Sequence, residues 1–227
     1  MPFSVTKANS RERFSEVLIN LSYIESIEPD GEAPSYVKIL RGLYYVHLYS
    51  ALERVVNDTI EQTILLIKSE NIKNKHYVMP FNVISLNSKM QGFKQCGYKD
   101  YFYKSSEVFE AVDSEDRFEI SNTIFSQNLQ NVWFKTIEET IKSFGAKSIE
   151  VDTRVRFTVD EIVEKRNAVA HGRETPISVG ERYRCSVLRD KTREIQMVAD
   201  LFVATFERYI QEYDYLREEH KDVYRQV

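Results

Sequence analysis

The chain is poor in the residues that build staples, phosphate loops and metal sites. Its two cysteines, Cys96 and Cys185, are isolated and lack CxxC spacing, so neither a disulfide framework nor a zinc site is expected. Only seven glycines occur in 227 residues, with no Gly-rich phosphate loop, GxSxG elbow or HExxH. Chemistry that depends on a nucleotide cofactor or a bound metal is therefore not expected. Three of the four histidines, His47, His76 and His220, stand in separate segments without a carboxylate at ligand spacing. No run of eighteen apolar residues exists, and the stretch from Met1 to Thr6 has no apolar core of the signal-peptide kind. The expectation is a cytoplasmic protein with no membrane association. The net charge of −4 argues against a broad positive surface for coating nucleic acid.

What remains is an ordinary globular composition, with 42% hydrophobic and 29% charged residues, long enough for one well-filled domain over 1–227. Apolar residues recur at helical spacing through most of it. Asn9 or Ser10 is placed to cap a first helix to about Ile27, with Phe14, Val17, Leu18, Leu21 and Ile24 on one face. After the loop around Pro29, Gly31 and Pro34, a second helix opens at Ser35 and extends towards Ile72. It is apolar over most of its circumference, which calls for a central position or a partner chain. Between about 73 and 127 the periodicity weakens into an irregular insertion, with a short helix expected over Ser105 to Ser114. There Lys99-Asp100-Tyr101-Phe102-Tyr103-Lys104 interleaves rings and ammonium groups, a pattern able to stack bases but more often an amphipathic flap. Asn128 is placed to cap a helix ending at Gly145. A loop follows at Thr175-Pro176 and Gly180, and a last helix runs from about Glu181 or Leu188 to His220.

One segment carries chemistry. Thr158-Val159-Asp160-Glu161 has the form of a capping box, and Gly172 suits the left-handed position after a helix end, predicting a helix over roughly 159–171. Asn167 and His171, four apart, share a face of that helix. Arg166 lies about 140° round and about 7.5 Å back, within reach of a guanidinium arm. An Arg-Asn pair followed by His at this spacing is expected by chance only about 0.01 times in such a chain. Arginine can clamp phosphate oxygens and histidine can move a proton near neutral pH. Lys165 and Arg173, flanking these residues, are candidate substrate contacts. Residues 151–193 hold ten Lys/Arg against seven Asp/Glu, a local excess that suits transient binding of a short polyanion.

The Arg166-Asn167-Ala168-Val169-Ala170-His171 run resembles the Arg-x4–6-His signature of the HEPN superfamily. SYVKILRGLYYVHLYSALERVVNDTIEQTI, NLQNVWFKTIEETIKSFG and VDEIVEKRNAVAHGR are similar to successive helices of stand-alone bacterial HEPN proteins. The resemblance implies an all-α, HEPN-like helical bundle with long central helices. It also implies a metal-independent endoribonuclease of toxin–antitoxin or phage-defence type, with Arg166, Asn167 and His171 as catalytic residues and no cofactor. Its partners would be RNA, a second copy of the chain, and an antitoxin or defence-system protein. Where HEPN toxins silenced by nucleotidyl transfer carry a tyrosine two residues after the histidine, this chain has Arg173, so that silencing is not implied. The alternatives are a catalytically idle HEPN domain that binds RNA or assembles a defence complex, and a structural helical dimer in which Arg and Asn pair locally.

Overall fold

The computed structural model describes residues 2–121, 124–125 and 128–225, without the Asn128 side chain, and the helix expected to be capped by Asn128 starts instead at Phe134 with Trp133 at its N-cap. Its helices are α1 (Ser4–Ser26), α2 (Ser35–Ser69), α3 (Asn82–Ser85), α4 (Asn87–Gln95), α5 (Tyr101–Val112), α6 (Phe134–Phe144), α7 (Thr153–Ala170), α8 (Pro176–Gly180), α9 (Cys185–Gln211) and α10 (Lys221–Arg225). No strand occurs among the described residues beyond one Tyr77–Leu216 bridge, and the fold is all-α.

The central position expected of α2 is what the chain adopts. At 35 residues it is about 52 Å long, and α1, α7, α8 and α9 pack along it. It buries Val37, Leu48, Leu52, Val55, Val56, Ile60, Ile64 and Ile67, together with Tyr44, Tyr45 and Tyr49. Tyr44 reaches Thr192 of α9 at 2.6 Å, which satisfies a phenol that would otherwise be costly to bury. Near its N-terminal end α2 meets α8 with almost no separation. A Cβ on Gly42 would lie 2.0 Å from the Pro176 carbonyl oxygen, and one on Gly180 would lie 1.8 Å from that of Lys38. Glycine at both positions is what lets the two backbones touch. Coverage of α2 is incomplete, with Tyr36, Ile39, Leu43 and Leu65 exposed.

Several boundaries differ from expectation, each for a local reason. Helix α1 begins at Ser4 rather than at Asn9 or Ser10, because Phe3 is fully buried and its carbonyl accepts from the Lys7 amide at 2.9 Å. Helix α7 begins at Thr153, where the Asp152 carboxylate accepts from the Arg154 amide at 2.7 Å. Thr158 is no cap; its hydroxyl donates within α7 to Arg154 or across to Glu194 of α9. Thr175-Pro176, expected as loop, starts a helix: Thr175 caps Ser178 and Pro176 takes the first turn, where its missing N–H costs nothing. The last long helix stops at Gln211, because Tyr213 turns left-handed (φ 54°) and the chain folds back along the insertion. There Val78 donates to the Tyr215 carbonyl and Arg217 to that of His76.

The middle region is more ordered than its pattern implies. Asn74 is fully buried and its amide donates to Asn82 and to the Ala111 carbonyl, pinning α3 and the end of α5. Helix α5 starts at Tyr101, four residues before the expected Ser105. Pro80 sits on Gly145, whose left-handed backbone (φ 72°) ends α6 as anticipated. The rings of Phe81, Phe144, Phe206 and Tyr209 meet at this end of the bundle.

Candidate active site

The far end of α7 holds the Arg-Asn-His run. The helix closes at Ala170. His171 is its C-cap, and Gly172 is left-handed at φ 67°. The amides of Arg173 and Glu174 both donate to the Ala168 carbonyl, at 2.8 and 3.1 Å, so the chain reverses at once. His171 is exposed, and its ring has no hydrogen bond or ion pair among the described residues. The ring is thus presented to solvent at a sharp corner whose backbone is fully tied.

Arg166 and Asn167 are placed differently. The Arg166 guanidinium lies 3.7 Å over the ring of Tyr49, a cation–π contact in a half-buried setting. Its Nη2 donates to the Gln130 carbonyl at 3.2 Å and approaches Asn131 Oδ1 at 3.4 Å and Glu53 at 4.0 Å. Asn167 donates through Nδ2 to the same Asn131 Oδ1 at 3.1 Å. Tyr49 is anchored in turn, accepting from the Val132 amide at 3.1 Å with the Gln130 carbonyl within donating reach. Burial pushes its phenol up to about 12, so the ring stays neutral under the cation. Two polar atoms here, Arg166 Nε and Asn167 Oδ1, are buried without a hydrogen-bond partner among the described residues. Unpaired buried polar atoms cost free energy, and two at adjacent residues mark a place where the fold tolerates local cost.

The structure therefore brings Arg166 and Asn167 together on Asn131, and no hydrogen bond joins the His171 ring to either among the described residues. The His171 amide donates along the backbone to the Asn167 carbonyl at 3.1 Å. Lys165 corrects the expectation of a substrate contact. It falls on the core side of α7 with Thr158 and Ile162, is 5% exposed, and its ammonium lies 3.3 Å from Glu174. Glu174 also meets Arg182 at 2.9 Å. Hydrogen bonding to Lys165, with added attraction from Arg182, holds the Glu174 carboxyl below the ordinary range, and the pair fastens the chain just past His171. Arg173 is exposed and free of ion pairs among the described residues, as a phosphate contact would need to be.

Glu53, Gln130 and Asn131 were not singled out from the sequence, and Tyr49 stood out only within the aromatic stripe Tyr36, Tyr44, Tyr45 and Tyr49, a pattern of core and interface. Their one local signal is that Gln130-Asn131 is an amide pair set between the buried apolar residues Leu129 and Val132. Among the described residues no three His, Cys, Asp or Glu side chains converge at metal-holding distance, and no helix is long and apolar enough to cross a membrane. Chemically, the site offers a fixed cation with an amide beside it and a free imidazole five residues on.

No curated protein and no solved structure matches the chain. The model of the family described as RiboL-PSP-HEPN matches residues 8–203, a span that includes α7 and the loop carrying Asn131. The chain is a member of the RiboL-PSP-HEPN family of the HEPN superfamily.

Proposed function

We propose that the protein is a metal-independent endoribonuclease, in which Arg166 and His171 act on one phosphodiester. Membership of a superfamily linked to RNA-directed nuclease functions gives the class. The observation that carries the reading is a free, exposed imidazole at the end of the helix that bears, five residues earlier, a guanidinium already fixed by Tyr49 and Asn131. In the reaction a 2′-OH gives its proton to one imidazole and its oxygen bonds to phosphorus. The bond to the 5′-oxygen breaks, and that oxygen takes a proton from a second imidazole. Arg166 neutralises the charge that grows on the non-bridging oxygens, and Arg173 adds a second contact. One chain has one histidine here, so the second imidazole comes from a second copy, making the active species a homodimer about a two-fold axis beside α7. The exposed Tyr36, Ile39 and Leu43 of α2 supply apolar surface for such an interface. The setting that fits is a cytoplasmic toxin or phage-defence effector held in check by a partner protein.

The alternative, an inactive domain that binds RNA without cutting it, draws on the same geometry. The Arg166 side chain is only 16% exposed and already has partners, as it would in a purely structural role. One experiment separates the two. Wild-type and His171→Ala protein are incubated with RNA in excess EDTA and the ends are mapped. Cleavage by the wild type to 2′,3′-cyclic phosphate and 5′-hydroxyl ends, lost in the variant, is the expected result. Binding without cleavage supports the alternative, and cleavage undiminished in His171→Ala removes the proposed chemistry.

A further inference from the structure

Helices α4 and α5, joined through Cys96–Asp100, form a hairpin that the core hardly touches. Helix α4 buries no side chain, and α5 buries only Ala111. Its rings face outward: Tyr98 is 92% exposed, Phe102 77%, Phe109 75% and Tyr103 65%. So many clustered, exposed aromatics are unusual on a surface without a ligand. The sequence of this arm has a regular step that the motif helix does not use. Phe93-Lys94, Tyr98-Lys99 and Tyr103-Lys104 repeat a ring followed by an ammonium every five residues. From α4 through α5 there are four lysines against three carboxylates, Asp100, Glu107 and Glu110, a small positive excess in a chain whose net charge is −4. Lys104 is engaged by Glu107 at 2.6 Å and Lys89 stands over the Phe118 ring, whereas Lys94 and Lys99 have no ion pair among the described residues. Phe93, Tyr101 and Phe102 are in ring contact in succession, at 5.3 and 5.5 Å between centroids.

We propose that this arm is a binding site for single-stranded RNA, separate from the catalytic end of α7. Exposed rings give each base a face on which to stack, and the adjoining ammonium groups meet the phosphates between bases. That pairing tolerates any sequence. A protein-docking face of this size would instead be depleted of charge at its centre, while here unpaired lysines sit among the rings. The arm is rooted at the far end of α2. The Asn74 amide donates to the Asp116 carbonyl and the Asn74 side chain to that of Ala111, just beyond Ser69. Tyr49, beneath Arg166, is twenty residues back along α2 from Ser69, about 30 Å. The arm therefore grips a strand well away from the scissile phosphate, and its contribution is affinity for long RNA rather than chemistry.

This inference rests on the ribonuclease reading only for the nature of the strand, so binding is measured in protein carrying His171→Ala, without turnover. The probe is a fluorescent single-stranded RNA of about 16 nucleotides, followed by anisotropy across a salt series. The triple variant Tyr98→Ala/Phe102→Ala/Tyr103→Ala should weaken binding about a hundredfold, and Lys94→Gln/Lys99→Gln should lower the salt slope by about one unit. All five residues are exposed, so thermal melting should be unchanged, and that is checked alongside. Affinity within about threefold of the parent in the triple variant overturns the proposal, as does a parent that fails to bind the probe. Unchanged affinity with a dimer that falls to a monomer reassigns the arm to a protein interface. Arm-dependent binding in a protein that never cuts RNA would sink the ribonuclease reading and leave this one standing. Cleavage with arm-independent binding would do the reverse.

Discussion

Replacing Gly42 with alanine should destabilise the protein by several times the effect of an ordinary surface change. The new Cβ would lie 2.0 Å from the Pro176 carbonyl oxygen and 2.7 Å from two further Pro176 backbone atoms. Relief requires α2 and α8 to separate by about 1 Å, because both obstacles are backbone and neither can rotate away. Overpacking of this kind costs about 3 kcal/mol, which for a chain of this size lowers Tm by roughly 6–12 °C. Gly180→Ala meets the Lys38 carbonyl at 1.8 Å and should cost as much. The double variant should fall short of the sum, since both substitutions relieve the same contact. Helix α8 also follows His171 closely, so the separation should displace the corner and lower any cleavage together with Tm. Gly92→Ala is the control: nothing lies within 4 Å of its Cβ and it sits inside α4, so Tm should hold or rise slightly. Calorimetry or melting followed by circular dichroism reads all four variants against wild type. A Gly42→Ala protein that melts within about 1 °C of wild type would refute the close-packed clasp.

Asn131→Leu removes the acceptor shared by Arg166 and Asn167. It should lower kcat about tenfold or more at nearly unchanged KM and Tm, with Asn131→Asp, which keeps the oxygen, recovering most of the loss. Equal kinetics for the leucine variant and wild type would show that Arg166 needs no such support. Stability should also fall as pH drops below 6.5, the ordinary imidazole value. Burial, the stacked His220 ring 3.9 Å away, and Lys75 and Lys73 push the His76 pKa down, with Glu115 opposing. The unfolded chain then takes up this proton before the folded one does. The stabilisation is complete above 6.5 and is lost as pH falls from there towards the lower folded value. Urea denaturation at about pH 5 and about pH 7.5 tests this, and His76→Gln should flatten the difference.

The parts of the fold that came through from sequence are those where one physical cause dominates. Helix α2 is apolar on most sides and had to be central; Gly145 and Gly172 end their helices because each stands where φ is positive. Misplaced boundaries came from residues with more than one use. Thr158 and Glu161 have capping-box spacing, yet the helix had already begun at Thr153, and both side chains serve α9 instead: Thr158 meets Glu194, and Glu161 meets Lys191 at 2.5 Å. Thr175-Pro176 has the composition of a breaker and the geometry of a helix start. Lys165 sits inward because Glu174, nine residues on, folds back to meet it, a pairing set by the turn at Gly172 and not by periodicity.

The same division runs through the candidate site. Helical spacing located Arg166, Asn167 and His171 on one helix, and that much was legible. It carried no information about Asn131, thirty-six residues from Asn167, or about Tyr49 on another helix. Those partners reverse the simple picture of three side chains converging in solvent. The cation is rigid, held by a ring, a carbonyl and an amide, while the imidazole is free. A catalytic site needs both groups held in register with one phosphate. Within a protomer nothing described orients His171, so under the proposed reading that task falls to the second protomer and the bound strand. Association then does more than supply a second histidine: it also fixes the first. The expected signature is kcat that falls on dilution in step with loss of the dimer, followed by light scattering at the same concentrations. Full kcat retained by a monomer would mean that His171 is oriented by the RNA alone.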